Sequence, residues 1–338
     1  MPGSKQSQLV GVIGPAGFGG SYLSAELIRR GHTVVGISRN PQSFGIHNNY
    51  VPRPLDIEES TIAELADSFR DLDTLVSEYG PHTQGATALQ YSKNAIWPII
   101  RPYTWRSIPP VLTQCHLVPF IEVVRKLILA VKLSAVKYFV FVGGAGSLII
   151  PGTHESLADH PGFFPAYRKD IAESDAHVQY MEERLGPLGI ALRSYRNARL
   201  AQRSGTATAA HIETIRNYED SIRKDDRASD YIKAGRAALL FFEGNTSFPW
   251  TFVSPSPLYR PGPRTGSYEI TIDYVPLKGK QKSENILEGR LTGIPSADLG
   301  VAIADEIESP RLVHKHWTAS ADLSDDTVYP SYLTADDI

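Results

Sequence analysis

The sequence predicts an α/β fold of the Rossmann type, built on a parallel sheet. Three observations carry it. A short apolar run, Val10-Gly11-Val12-Ile13, ends in glycines spaced three apart, Gly14, Gly17 and Gly20. A helix-like segment then leads to a second apolar run, Thr33 to Ser38. Further strand-length apolar runs alternate with helical patterns along the chain, as a parallel sheet with helical crossovers requires.

The first unit sets the pattern. Val10 to Ile13 suits a strand buried on both faces, and Gly14 can make the tight turn after it without a Cβ penalty. Gly17 lets the backbone approach a pyrophosphate, and Gly20 lets the next helix pack close to the strand. That helix, Phe18 to Arg30, aims its N-terminal N–H groups and the positive end of its dipole at the phosphates, and Gly31 stops it. The GxxGxxG spacing differs from the GxGxxG of NAD dehydrogenases, so its place in a βαβ unit carries the assignment. The second strand ends in Ser38-Arg39, with no acidic residue to take a ribose 2′-hydroxyl. A guanidinium there suits a 2′-phosphate, which predicts NADP(H) over NAD(H).

The remaining elements follow in order. Tyr50 to Asp56 reads as a third strand, Ile57 to Phe69 as a helix and Asp73 to Ser77 as a fourth strand. The Pro-, Gly- and aromatic-rich stretch 80–110 is far longer than an ordinary βα connection and leaves the carboxyl edge of the sheet, so it predicts a substrate lid with Trp97, Tyr103 and Trp105 as apolar contacts. Val111 to Leu133 is an apolar helix, and Lys137 to Val142 is the fifth strand, ending in Gly143-Gly144-Ala145-Gly146-Ser147. Successive glycines there predict a close approach to the backbone, with the nicotinamide half of the cofactor as the natural candidate. From Ala166 to Leu240 the pattern is helical and polar, with 197–228 as a helical insertion. Phe248 to Val253 is the sixth strand, Tyr268 to Tyr274 alternates like a strand, Ser296 caps a helix to about Ile307, and Leu312 to Trp317 forms a last strand. The organisation predicted is one dinucleotide-binding domain over 1–320, with its core in 8–200 and 229–255, a C-terminal portion over about 256–320, and a loosely ordered acidic tail over 321–338.

Composition narrows the function classes. Of 338 residues 42% are hydrophobic, ample for a core, and 34 basic against 37 acidic residues give a net charge of −3 without long runs of one sign. Nothing there points to nucleic acid. The single Cys115 excludes an internal disulfide and reads as a core residue rather than a nucleophile. No run of about 18 apolar residues is present, so the reading is a soluble cytoplasmic protein that binds a small molecule, with its oligomeric state open.

At this point the chain resembles the NAD(P)H-binding, NmrA-like atypical short-chain dehydrogenase/reductases. The resemblance rests on the Gly14/Gly17/Gly20 turn, Ser38-Arg39-Asn40-Pro41, Asp56, Val142 to Leu148, Trp250 to Pro255 and Pro261 to Gly266, with the loop from Pro151 to Tyr167. It implies that Gly14, Ala16, Gly17, Phe18, Gly19 and Gly20 hold the pyrophosphate and that Ser38 and Arg39 hold the 2′-phosphate. It further implies a doubly wound parallel sheet with a smaller C-terminal substrate-binding portion, Asp56 and Ile57 at the adenine edge, Tyr79, Gly80, Gly143 and Gly144 at the nicotinamide ribose, and Ser254 and Pro255 beside the ring. One departure is Pro15-Ala16 in place of the Ala-Thr common in the family, which removes one N–H near the phosphate.

Reduction of a carbonyl needs a proton donor, which short-chain reductases supply from a Tyr with a Lys four residues on. No tyrosine is expected to have that lysine partner; the nearest matches are Tyr167 with Lys169, Tyr231 with Lys233 and Tyr195 with Arg199. Tyr167 is therefore the leading acid candidate, with Ser147 as its hydrogen-bonding helper, Lys233 on the ribose side and His154 as a proton shuttle. His154, Glu155 and His160 fit no helical ligand spacing, and no metal is expected. The first function this supports is an NADPH-dependent oxidoreductase for a small apolar carbonyl, quinone or enone, of a kind used in secondary metabolism. A redox-neutral isomerase or cyclase and an NADP(H)-sensing regulatory protein are the alternatives.

Overall fold

The computed structural model describes residues 7–80, 117–224, 227–326 and 328–338. The first half alternates strand and helix: β1 (Leu9–Ile13), α1 (Phe18–Arg29), β2 (Thr33–Ser38), β3 (Tyr50–Pro54), α2 (Ile62–Phe69), β4 (Thr74–Ser77), α3 (Leu117–Leu133) and β5 (Tyr138–Val142). Five helices follow, α4 (Phe163–Glu173), α5 (Asp175–Leu185), α6 (Pro187–Arg203), α7 (Ala209–Lys224) and α8 (Arg227–Leu239). The chain then returns as β6 (Trp250–Val253), β7 (Leu258–Arg260), β8 (Glu269–Ile272), β9 (Gly293–Pro295), α9 (Ser296–Glu308) and β10 (His316–Ser320).

Eight strands form one sheet in the order β3-β2-β1-β4-β5-β6-β10-β8, parallel throughout except for β8 against β10. The inner strands β1, β2, β4, β5 and β6 are buried on both faces, which is why they read as continuous apolar runs, whereas the outer strands β3 and β8 are largely exposed. In β5, Phe139 and Phe141 enter a core with Leu65 and Phe69 of α2 and Leu127 of α3, whereas Tyr138, Val140 and Val142 enter the opposite core with Leu23 and Leu27 of α1 and Ile303 of α9. Full burial of each such side chain contributes about 1.5–3 kcal/mol. A third core joins α4, α5 and α6 to Leu287 and Leu291 of the C-terminal portion.

Several sequence expectations change. The lid over 80–110 lies outside the described residues apart from Gly80, as do Cys115 and the start of the helix expected from Val111. The insertion read from residue 197 begins inside α6, although α7 is helical as expected. Ser296 is not a cap: Pro295 holds the N-cap position of α9 with no side-chain hydrogen bond. Strand β10 starts at His316, because His314 has φ 57 and turns the chain just before it. β10 lies in the sequence range assigned to the substrate portion, yet it extends the nucleotide-binding sheet next to β6. The paired strands β7 and β9 fall in segments to which the sequence assigned no element, since three residues are too few to show a period.

The acidic tail is not loose. Asp325 accepts from Arg260 Nη2 at 2.9 Å and from Ser174 Oγ at 2.6 Å. The Tyr22 hydroxyl donates to the Pro330 carbonyl, Leu333 N donates to Ser21 Oγ at 3.1 Å, and Ala335 is buried in the α1-side core. Composition registers the charges of this segment, whereas its backbone bonds to α1 are invisible to composition.

Candidate functional site

A cleft of about 830 Å³ opens along the carboxyl ends of the strands, spanning the point between β2 and β4 where the strand order reverses about β1. Ligands of open α/β sheets lie at such a point.

The middle of the cleft is the first glycine turn. Gly14 adopts φ 81, a conformation open to glycine, and its N–H donates to Ile37 O at 2.9 Å. Gly20 sits beneath the turn rather than on the cleft wall: a Cβ there would stand 2.0 Å from the Gly14 carbonyl oxygen. Gly17 is the N-cap of α1 and supplies no side-chain acceptor, and the first turn holds no acidic residue. The helix therefore presents uncapped N–H groups and its positive end to the space lined by Gly14, Ala16, Gly17, Phe18 and Gly19. An anionic group such as a pyrophosphate fits this cradle.

At one end stand Ser38 and the exposed Arg39, with Asp56 and Ile57 opposite. Asp56 Oδ1 accepts from Glu58 N at 3.0 Å, so part of this carboxylate holds its own loop. Tyr79 and Gly80 also line the cleft; the Tyr79 hydroxyl donates to Glu58 Oε1 at 3.0 Å and its ring stacks on Phe120 at 5.8 Å.

Gly143 and Gly144 follow β5 on the facing wall, but for different reasons. A Cβ on Gly143 would come within 2.2 Å of the Phe252 ring, so this glycine is required by packing. A Cβ on Gly144 would meet nothing within 4 Å, so here the backbone faces open space. Pro255 lines the cleft, whereas Ser254 does not: it is buried, with its hydroxyl 2.9 Å from His316 Nε2.

The four expected catalytic residues separate. Tyr167, on α4, lines the cleft with its ring stacked on Phe163 at 5.6 Å. Ser147 is buried off the cleft wall, and its hydroxyl has no hydrogen-bond partner among the described residues, so it is not the helper of Tyr167. Lys233 of α8 is not on the wall, although its neighbour Ile232 is. His154 is exposed on the turn closed by the Ile150 N to Glu155 O bond at 2.9 Å, away from the lining residues. One Tyr-x-x-x-Lys spacing does occur, at Tyr274 and Lys278, which corrects the expectation of none. It lies beyond β8 with Pro276 between the two, off the helices and off the cleft wall, and cannot reproduce the one-turn geometry.

The structure adds three residues that the sequence reading passed over: Glu78, Tyr259 and Arg184 all line the cleft. Glu78 follows β4, and its side chain crosses above α1: a Cβ on Gly19 would stand 2.5 Å from Glu78 Oε2 and 2.9 Å from the Tyr259 hydroxyl. Burial pushes the Glu78 carboxyl up to about 8. Burial, and next the Glu78 charge, push the Tyr259 hydroxyl well above its ordinary range. Arg184 Nη1 donates to the Tyr180 hydroxyl at 2.6 Å, and Tyr180 in turn packs 4.6 Å from Phe18. Behind them His177 is driven down to about 3 by burial and then by the guanidiniums of Arg260, Arg168 and Arg184, so this corner is electropositive. Only an acid placed directly after a strand end could have flagged Glu78 in the sequence; Arg184 comes from a helix with no motif.

Comparison with solved structures gives the same architecture. A candidate epimerase from Bacteroides thetaiotaomicron is 20% identical over 94% of this chain and 99% of its own, with a TM-score of 0.57. This chain has the Rossmann fold. A candidate NADH-flavin reductase from Streptococcus pneumoniae TIGR4 superposes on it with a TM-score of 0.54, at 17% identity over 94% of this chain and 100% of the other. The oxidoreductase ylbE from Lactococcus lactis reaches a TM-score of 0.50 at 13% identity, over 94% and 92%. These neighbours agree with the NmrA-like resemblance at the level of the Rossmann fold. No family model matches the chain, and no curated protein matches it in sequence.

Proposed function

We propose that the chain is an NADPH-dependent oxidoreductase of the atypical short-chain dehydrogenase/reductase type, acting on a small, largely apolar carbonyl, quinone or enone. The observation that carries this reading is a single cleft running from Arg39, past the uncapped N-terminus of α1, to Gly144, Tyr167 and Pro255. Arg39 and Ser38 suit the 2′-phosphate, and the N–H groups of α1 suit the pyrophosphate. When bound, the reduced nicotinamide supplies a hydride. The chain supplies the rest: Phe163, Tyr167 and Ile232 form an apolar and aromatic wall for the acceptor, and Glu78 holds a proton in the cleft at neutral pH. A neutral carboxyl beside a phosphate cradle adds no repulsion and can neutralise the oxyanion formed on hydride addition.

The test is a fluorescence titration with NADPH and NADH, followed by absorbance at the nicotinamide band with a panel of quinones and enones. Arg39→Ala is expected to weaken NADPH about tenfold or more, equivalent to about 1.4 kcal/mol, and to leave NADH within about twofold. Equal losses for both coenzymes, or no binding of either, would overturn the assignment. One observation favours a second reading: a carboxyl titrating near neutrality, as Glu78 does, can take a proton and return it, which is what a redox-neutral isomerase needs. Conversion of an enone without absorbance loss would select it.

A further inference from the structure

We propose that Arg184 is an anion anchor in the substrate half of the cleft, and that the acceptor therefore carries a carboxylate. This rests on the reading of the cleft as a coenzyme and acceptor site and names the acceptor's class. Arg184 projects from α5 onto the cleft wall, where its hydrogen bond runs from Nη1 to the Tyr180 hydroxyl. Among the described residues no carboxylate pairs with it. The arginines of the next helix behave differently: Arg193 pairs with Glu182 and Asp175, Arg196 with Asp175, and Arg199 and Arg203 with Glu173. Arg260 likewise pairs with Asp325 at 2.9 Å. A guanidinium carries five N–H donors in a planar fork, and one phenol accepts a single bond. A carboxylate from a ligand fits the rest of that fork bidentately and gives the cation the counter-charge that the protein withholds.

The surroundings sort ligands by charge. The guanidiniums of Arg168 and Arg260, which together with burial keep His177 neutral, make the corner behind Arg184 positive. Tyr167 and Tyr332 line the same part of the cleft and offer aromatic surface to the body of the acid. The phosphates of a dinucleotide have their own cradle at the N-terminus of α1, and Tyr180 lies between Phe18 at the start of that helix and Arg184.

The experiment measures binding of cinnamate and 3-benzoylacrylate, each beside its methyl ester, by calorimetry with and without saturating NADPH. Each acid is expected to bind at least about tenfold more tightly than its ester. Arg184→Gln is expected to abolish that preference while NADPH affinity, titrated separately, stays within about twofold. Arg184→Lys keeps the charge without the fork and is expected to retain part of the preference; it carries the test if the Gln variant does not fold by circular dichroism. Acids binding no better than esters to the wild type, or an unchanged preference in the Gln variant, would overturn the proposal. A loss of NADPH affinity equal to the loss of acid affinity would also overturn it, since Arg184 would then serve the coenzyme phosphates. Failure of wild-type protein to bind NADPH while the acid preference persists strikes the proposed function and leaves the anchor standing.

Discussion

Glu78 shows how a residue without a motif acquires a chemical role. Its backbone continues β4, and its carboxyl lies over Gly19 beside Tyr259, a residue contributed by β7. Nothing adjacent to it in the sequence announces that neighbour, so Arg39 was legible from its place after β2 whereas Glu78 was not. The folded carboxyl titrates near 8 and its unfolded value is 4.5. Below 4.5 both states are protonated and Glu78 makes no difference; as pH rises toward 8 the unfolded chain ionises first, so stability is lost over that window. Between pH 5 and pH 8, wild-type protein should lose on the order of 2–3 kcal/mol more stability than Glu78→Gln, read from urea midpoints at the two pH values. Parallel pH dependence of the two proteins would mean that the carboxyl is solvated and ionised. Rescue of the slope by Gln also separates this effect from any loss of catalysis, because no coenzyme is present in the measurement.

At the scale of elements, the legible parts were those with a long period or a steric requirement. Helix α1 and strands β1 and β2 were marked by apolar runs and by glycines whose spacing a turn demands, and α2, α3 and α9 by their apolar faces. The paired strands β7 and β9 went unread because three residues carry no periodicity, and the cap of α9 because Pro295 is an N-cap without a side-chain acceptor. The glycines after β5 had been assigned one role, and the structure divides it. Gly143→Ala forces a methyl into the Phe252 ring and should cost about 1–3 kcal/mol in chemical denaturation. Gly144→Ala meets no neighbour, should leave stability within about 0.5 kcal/mol, and should weaken NADPH, because its methyl projects into open space on the cleft wall. If Gly144→Ala bound NADPH as tightly as wild type, the nicotinamide half would lie elsewhere in the cleft.

At the scale of the molecule, the sheet was foreseen in class and its edge was not. β10 extends the sheet beyond β6, with the antiparallel β8 at the edge, and brings the last residues of the chain back over α1. The sequence gives no hint of this return, since the bonds that hold it involve the Pro330 carbonyl, the Leu333 amide and the carbonyl of Asp337, which accepts from Arg29 Nη2 at 2.7 Å. The consequence reaches the site, because Tyr332 of this segment lines the cleft. Removing residues 327–338 would take the buried Ala335 out of the α1-side core, break these bonds and open one side of the acceptor wall. The truncated protein should melt about 3 °C lower, the shift expected for a loss of about 2 kcal/mol in a chain of this size. Its affinity for NADPH should fall less than its affinity for the acid ligands, because the tail's partners on α1, Ser21 and Tyr22, are not among the cleft-lining residues while Tyr332 is. An unchanged melting temperature would show that the return over α1 contributes nothing to stability. Equal losses for coenzyme and acid would mean that the segment braces α1 as a whole rather than the acceptor wall, since Ser21 and Tyr22, its partners, sit one turn beyond the phosphate cradle.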